Sequence, residues 1–354
     1  MKKIGRILIY VVLLIVGPGG LFLLAPASVH YQITERYAFS AAQPSAPIRL
    51  VVMLPRGGPY QTVENVAVDW VGEETHASHD AVDVLMLEGA ADGDGAAEAV
   101  LTYDVALESG RARWEAPVQA EDLEPGDEIE SDAPILIAEA EEIAGERPRE
   151  SAYQIYAFTA QRLSWPTGSQ ERGDQSALTA YQTGIGVCGD FANLMTALCR
   201  AVDVPARAIS GLSFPLLMPP FTARTSTWFH PAGSHAWVEV YTGEGWELAD
   251  PSLASRMPFD RFWFGKSSGQ YLSYGESVEQ NRIYAEMMAW AEEDGEIVGA
   301  MSAPLRFVAS VEGEEATLTP TTRVKKVGDV RWLGTAGLYV AILVGAVLLE
   351  TRLK

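Results

Sequence analysis

A thiol, an imidazole and a carboxylate stand in chain order at three points of this 354-residue sequence. Cys188 lies in Gly184-Ile185-Gly186-Val187-Cys188-Gly189-Asp190-Phe191, a glycine-rich turn that runs into an apolar helical pattern. A thiol at the start of a helix meets the positive end of the peptide dipoles, which favours its thiolate. His235 occurs in Ser234-His235-Ala236-Trp237-Val238-Glu239-Val240-Tyr241, and Asp250 in Gly245-Trp246-Glu247-Leu248-Ala249-Asp250-Pro251-Ser252. Both runs are strand-like and are joined by Thr242-Gly243-Glu244-Gly245, so a short hairpin brings the two side chains near each other at one end of a sheet. Such a set can perform covalent acyl transfer. The thiolate attacks an amide or ester carbonyl, the imidazole relays the proton to the leaving group, and the carboxylate holds the imidazole in the required tautomer.

Other polar residues carry less. Cys199, in Leu194-Met195-Thr196-Ala197-Leu198-Cys199, reads as a small buried hydrophobe. On one helix with Cys188 it is roughly 16 Å away along the axis, whereas a disulfide needs Cα atoms within about 7 Å. His76 and His79 show no further ligands at metal spacing, and Asp92-Gly93-Asp94-Gly95 reads as a turn, so neither a metal nor another cofactor is expected. Asp190 and Asn193 read as helix-cap and helix-surface groups, Arg207 as an ion-pair partner inside the module, and Trp246 as core. Trp237 and His230, in Trp228-Phe229-His230-Pro231, are candidates to wall a cleft beside His235.

The elements that must position these groups follow from periodicity. Short β-type runs fill the stretch from Pro47 to about Ile129: Ile48 to Leu54, Val63 to Val71, Ala81 to Leu87, Ala99 to Leu107 and Arg113 to Val118. From Ser131 the period becomes helical, first over Ile135 to Ala144, then over 149–163 with Ala152, Ile155, Tyr156 and Leu163 on one side. The helix led by Cys188 follows, and then strand runs at Ala206 to Phe214, Ala236 to Thr242 and Trp246 to Ala249. Helices followed by an antiparallel sheet make an α+β unit over about 131–260. Beyond it, Glu279 to Trp290 reads as a helix and 304–326 as two strands that can pack back on the β-rich part.

These residues carry a resemblance. Gly-Val-Cys-Gly-Asp-Phe-Ala at 186–192, Arg200, Val204-Pro205-Ala206-Arg207, His-Ala-Trp-Val-Glu-Val at 235–240 and Gly-Trp-Glu-Leu-Ala-Asp-Pro-Ser at 245–252 resemble the transglutaminase-like superfamily. The resemblance implies a papain-like core, a cysteine-bearing helix packed on an antiparallel sheet, with Cys188, His235 and Asp250 as catalytic residues. Leu54-Pro55 with Tyr60-Gln61-Thr62-Val63 is similar to the β domain that often precedes this core in microbial members, which implies a β-sandwich-like domain over 40–130. The backbone N–H of Cys188 is one oxyanion donor. For another, the papain-type pattern suggests Gln182, and transglutaminase usage of aromatic groups suggests Tyr181 or Trp165. Hydrolysis (peptidase or amidase) and transfer to an amine both belong to the fold, as do relatives that serve as non-catalytic binding or assembly modules. The complete set of three groups favours a cysteine-dependent enzyme acting on a peptide or protein amide.

The remaining expectations concern location. A net charge of −21 argues against nucleic acid, which requires a basic surface. Residues 1–30 hold an uncharged apolar segment, Ile7 to Val29, after Lys2, Lys3 and Arg6, long enough to span a bilayer. Ala25-Pro26-Ala27 also has the form of a cleavage site, so the segment reads as an anchor or a removed leader. Trp332 to Leu349 is a second uncharged stretch, expected as a transmembrane helix over 332–349 after a C-terminal extension at 261–330. The positive N-terminus predicts that the catalytic domain lies on the extracytoplasmic side of the membrane.

Overall fold

A computed structural model describes residues 27–79, 82–167, 176–214, 223–226, 233–256, 260–293, 295–301, 307–312 and 316–329. The first part is all strand: β1 (Ala27–Ser40), β2 (Pro47–Pro55), β3 (Gln61–Asp69), β4 (Gly72–Ser78), β5 (Val82–Ala90), β6 (Ala96–Arg111) and β7 (Arg113–Trp114). Helices follow: α1 (Pro134–Ile143), α2 (Pro148–Arg162), α3 (Ala177–Thr183) and α4 (Cys188–Arg200). Then come β8 (Ala206–Ser213), β9 (Ala223–Ser226), β10 (Gly233–Tyr241), β11 (Trp246–Ala249), α5 (Pro251–Ala254) and α6 (Asp260–Trp263). The last described elements are β12 (Lys266–Ser268), β13 (Tyr271–Glu276), α7 (Ser277–Glu292), β14 (Glu296–Met301), β15 (Phe307–Val311) and β16 (Thr317–Asp329).

The described strands form three sheets. One has the order β12-β6-β1-β16-β9, with β3 also on β6, and another the order β14-β15-β2-β5-β4. The two enclose a common core. Along β1 the residues Val29, Tyr31, Ile33, Tyr37 and Phe39 alternate inward, and they share an apolar cluster with Leu50, Val52, Leu85, Leu87 and Phe307 of the facing sheet. The third sheet, β13-β8-β10-β11-β7, carries α4 against one face. Phe191, Leu194, Met195, Leu198 and Cys199 of α4 are buried against Ala206, Ala208, Val238 and Val240 of that sheet and against Ile155 and Tyr156 of α2. This is the helix-on-sheet core that the α+β reading anticipates.

Three features differ from the sequence expectations. Strand β1 starts at Ala27 and buries Val29 completely, so the segment read as apolar to Val29 is sheet over its last residues. Its alternation of apolar and polar residues continues through Phe39, a period-two signal that outweighs the apolar run before it. The boundary placed at 260 has no counterpart: β12 and β16 join the first sheet, β14 and β15 the second, and β13 completes the third. The boundary near 130 is likewise crossed, because β7 pairs with β11 through Trp114↔Trp246. Among the described residues no helix is long and apolar enough to cross a membrane. The stretch Trp332 to Leu349, and Ile7 to Pro26 of the first segment, lie outside the described residues.

At the crossing point, Glu247 of β11 is fully buried and receives Arg113 Nε at 2.8 Å and Arg149 Nη2 at 3.0 Å, with Arg111 Nη2 at 3.7 Å. Burial works against its ionisation, but Arg149 and Arg113 outweigh it and hold the carboxyl below its ordinary range. The β-rich part, α2 and the third sheet are thereby tied at one carboxylate.

Candidate functional site

The turn before Cys188 is built by its glycines. Gly184 closes α3 with φ of 68°, a left-handed conformation that glycine adopts without cost. At Gly186 an added Cβ would fall 2.7 Å from Asp190 Cβ, so a side chain there would push the cap apart. Asp190 Oδ2 accepts the Val187 N–H at 2.7 Å and fixes the start of α4. Cys188 is the first residue of the helix and is partly exposed, while Cys199, on the same helix, is buried, and neither forms a disulfide. Burial pushes the Cys199 thiol far up, which suits a packing residue.

His235 sits in β10 opposite Gly211 of β8, and Asp250 follows the last residue of β11, which pairs with β10 through Val238↔Ala249. The hairpin between them is closed by Thr242 N–H to Gly245 O at 2.9 Å. His235 Nε2 and Asp250 Oδ2 are 2.7 Å apart. Cys188 and His235 are also hydrogen-bonded, which leaves Nδ1 as the ring nitrogen facing the sulfur. The three residues singled out in the sequence therefore meet as a continuous chain.

Asp250 is 4% exposed and its carboxylate is saturated. Oδ1 caps α5 by accepting Leu253 N–H at 2.9 Å and Ser252 Oγ–H at 2.7 Å, and Oδ2 accepts the Tyr271 hydroxyl at 2.8 Å besides His235. Burial alone would raise its pKa, but the charge and hydrogen bond of His235 and these donors lower it. Burial disfavours the imidazolium of His235, yet Asp250 and the Cys188 sulfur override that and lift it to about 10. The imidazole ring lies nearly parallel to two aromatic rings that also touch each other, Tyr271 at 5.7 Å and 14° and Trp237 at 6.2 Å and 28°. A cationic ring is thereby held flat beside the sulfur at the start of α4.

The fixed stack continues beneath the site. Trp237 Nε1 donates to the Tyr60 hydroxyl at 3.1 Å, and that hydroxyl donates to Glu239 Oε1 at 2.8 Å. Tyr60 comes from the turn before β3, so the β-rich part supports the floor of the site. Glu239 is raised to about 7 by burial, against which its bond from Tyr60 and the charge of Arg207 act only in part. Arg207 itself binds Asp122 at 2.6 Å and stacks over Trp246 at 4.1 Å.

The other sequence candidates are placed differently. Gln182 is exposed on α3 and does not line the cleft at Cys188. Tyr181 gives its hydroxyl to Glu139 and lies under the Arg162 guanidinium. Trp165 donates Nε1 to Ser255 Oγ at 3.3 Å and stacks on Phe191. None of these three is among the described residues that line the cleft. Trp237 is fully buried behind His235 and forms floor instead of wall, and His230 lies outside the described residues. Among the described residues there is no cluster of metal-ligating side chains. Tyr271 and Tyr60 were not anticipated. The alternation of Tyr271-Leu272-Ser273-Tyr274 carried a strand signal for the first, and nothing local pointed to the second.

Residues 138–251 match the model of the transglutaminase-like superfamily, and this core of the chain belongs to it. Among solved structures, a candidate cysteine protease from Cytophaga hutchinsonii is similar at 16% identity and a TM-score of 0.49, over 85% of this chain and 92% of that one. The periplasmic domain of TgpA from Pseudomonas aeruginosa is similar at 16% identity and a TM-score of 0.33, over 66% of this chain and 90% of that one. No curated protein matches the chain.

Proposed function

We propose that this chain is a thiol amide hydrolase, held at a membrane with its catalytic part outside the cytoplasm. The observation that carries the chemistry is the hydrogen-bonded series Cys188–His235–Asp250 with His235 raised to about 10. In the first step Cys188 Sγ attacks the carbonyl carbon, a C–S bond forms, and the C–N bond breaks as the His235 proton passes to the leaving nitrogen. The product is a thioester. Water then attacks that carbonyl and yields its proton to His235, releasing a carboxylic acid and restoring the thiol. The oxyanion is met by the Cys188 N–H, which as a first-turn donor has no intrahelical acceptor.

Hydrolysis is preferred to amine transfer because the cleft is wet in character. Asn193, Ser210, Ser234, Ser277 and Asn281 line it beside the sulfur, and such walls admit the water that an amine-transferring site must discourage. Membrane attachment rests on the uncharged stretches before Ala27 and over Trp332 to Leu349.

The test incubates purified protein with a glutamine-containing peptide, with and without a primary amine, and resolves the products by mass. Cleaved or deamidated peptide that persists in the presence of amine supports the proposal, and an amine adduct as main product overturns the hydrolytic assignment. Iodoacetamide should alkylate Cys188 far faster than a free model thiol near neutral pH. Equal rates would sink the enzyme reading altogether.

A further inference from the structure

The cavity at Cys188, about 100 Å³ in volume, has two unlike walls. One belongs to the module: Gly189 and Asn193, a turn apart on the same side of α4, and Gly211 of β8. The other comes from α7, where Ser277, Gln280 and Asn281 face the cavity. Gln280 is almost wholly buried and donates Nε2 to Ser210 O at 3.0 Å and to Gly275 O at 2.6 Å, so this second wall is fastened to the first. At the rim stands Glu128, from the loop ahead of α1. Its backbone carbonyl accepts the Ala177 N–H at 2.9 Å, and its Oε2 accepts Asn193 Nδ2 at 3.4 Å.

Among the described lining residues, Glu128 is the one carboxylate; the other ionisable groups are the thiol, the imidazole and the Tyr274 phenol. The wall around it offers neutral hydroxyls and amides and no lysine or arginine. A carboxylate held at the edge of a small polar cavity repels an anion and attracts a compact hydrogen-bond-donating cation.

Resting on the proposed thiol chemistry, we propose that Glu128 makes this cavity a subsite for a primary ammonium group carried by the substrate next to the attacked carbonyl. The substrate class is then an acyl donor with a free amino-terminal or side-chain amine, and anionic acyl groups are discriminated against.

Alkylation of Cys188 tests this without a known substrate. Rates with neutral iodoacetamide and cationic 2-bromoethylamine, each divided by the rate of a free model thiol, give a charge-preference ratio for the intact protein. That ratio should favour the cation by roughly tenfold. It should fall close to one in Glu128→Gln, which keeps the acceptor for Asn193, and shrink in 1 M salt. Glu124→Gln, an exposed acid outside the cleft, should leave it unchanged. No preference for the cation, or a preference that survives Glu128→Gln, overturns the subsite. Slow reaction with the neutral reagent alongside a Glu128-dependent preference would instead defeat the enzyme reading and leave the subsite standing.

Discussion

Asp250 and Glu239 belong to the same small sheet region and are both buried, yet their ionisation moves in opposite directions. Asp250 collects a histidine, a tyrosine hydroxyl, a serine hydroxyl and a backbone N–H, and its pKa falls. Glu239 has one hydroxyl and a more distant arginine, and burial raises it to about 7. Depth in the protein therefore does not decide the charge. The donors do, and the chain concentrates them at the carboxylate that must stay ionised beside His235.

The sharpest way to break this contrast is Asp250→Asn. Loss of the charge while the shape is kept should cut turnover by roughly 10³- to 10⁴-fold. A loss below tenfold would mean that Asp250 is packing alone.

Next in size is a pH effect on stability of a few kcal/mol. Because the folded His235 is raised from 6.5 to about 10, its contribution is full below pH 6.5 and is lost as pH climbs through about 10. Asp250 acts at the other end: its folded pKa lies under 3.8, so its contribution is present above that value and lost as pH falls through the folded one. Tm measured at pH 6 and pH 10.5 should drop more for the wild type than for His235→Gln.

Glu239→Gln probes the opposite member. Between 4.5 and about 7 the folded state keeps a proton that the unfolded chain has released, so stability declines with rising pH over that interval. Glutamine has no such cost and still accepts from Tyr60. The variant should gain about 1–3 kcal/mol at pH 8 and nothing at pH 4.5 in urea melts. The smallest effect belongs to Tyr271→Phe, which takes one of the donors from Asp250 and should cost about 1 kcal/mol, seen as a several-fold slower alkylation.

The parts of this site that were legible before the structure are those written locally. The turn at Gly184 to Gly186, the apolar face of α4 and the alternation of β10 and β11 are short-range patterns that place Cys188, His235 and Asp250 on defined element ends. What escaped was contributed across long stretches of chain. Tyr60 reaches Trp237 over 177 positions, and Tyr271 reaches Asp250 from a strand beyond the module boundary drawn at 260. The surroundings of the oxyanion candidates were equally hidden: Tyr181 and Trp165 had plausible spacing, but their polar atoms meet Glu139 and Ser255, distant in sequence. Strand β1 was readable from its alternation and was obscured by the apolar run ahead of it.

The antiparallel ladder of β1 and β16 sets Val29 against Asp329, so both ends of the described chain leave the first sheet at the same place. A tension applied between these points would load the ladder at one end and open it one hydrogen bond after another, as a zipper opens. Shear across all its bonds together would require grips at opposite ends. The fold should thus yield first, and at low force, at the seam where these two strand ends meet.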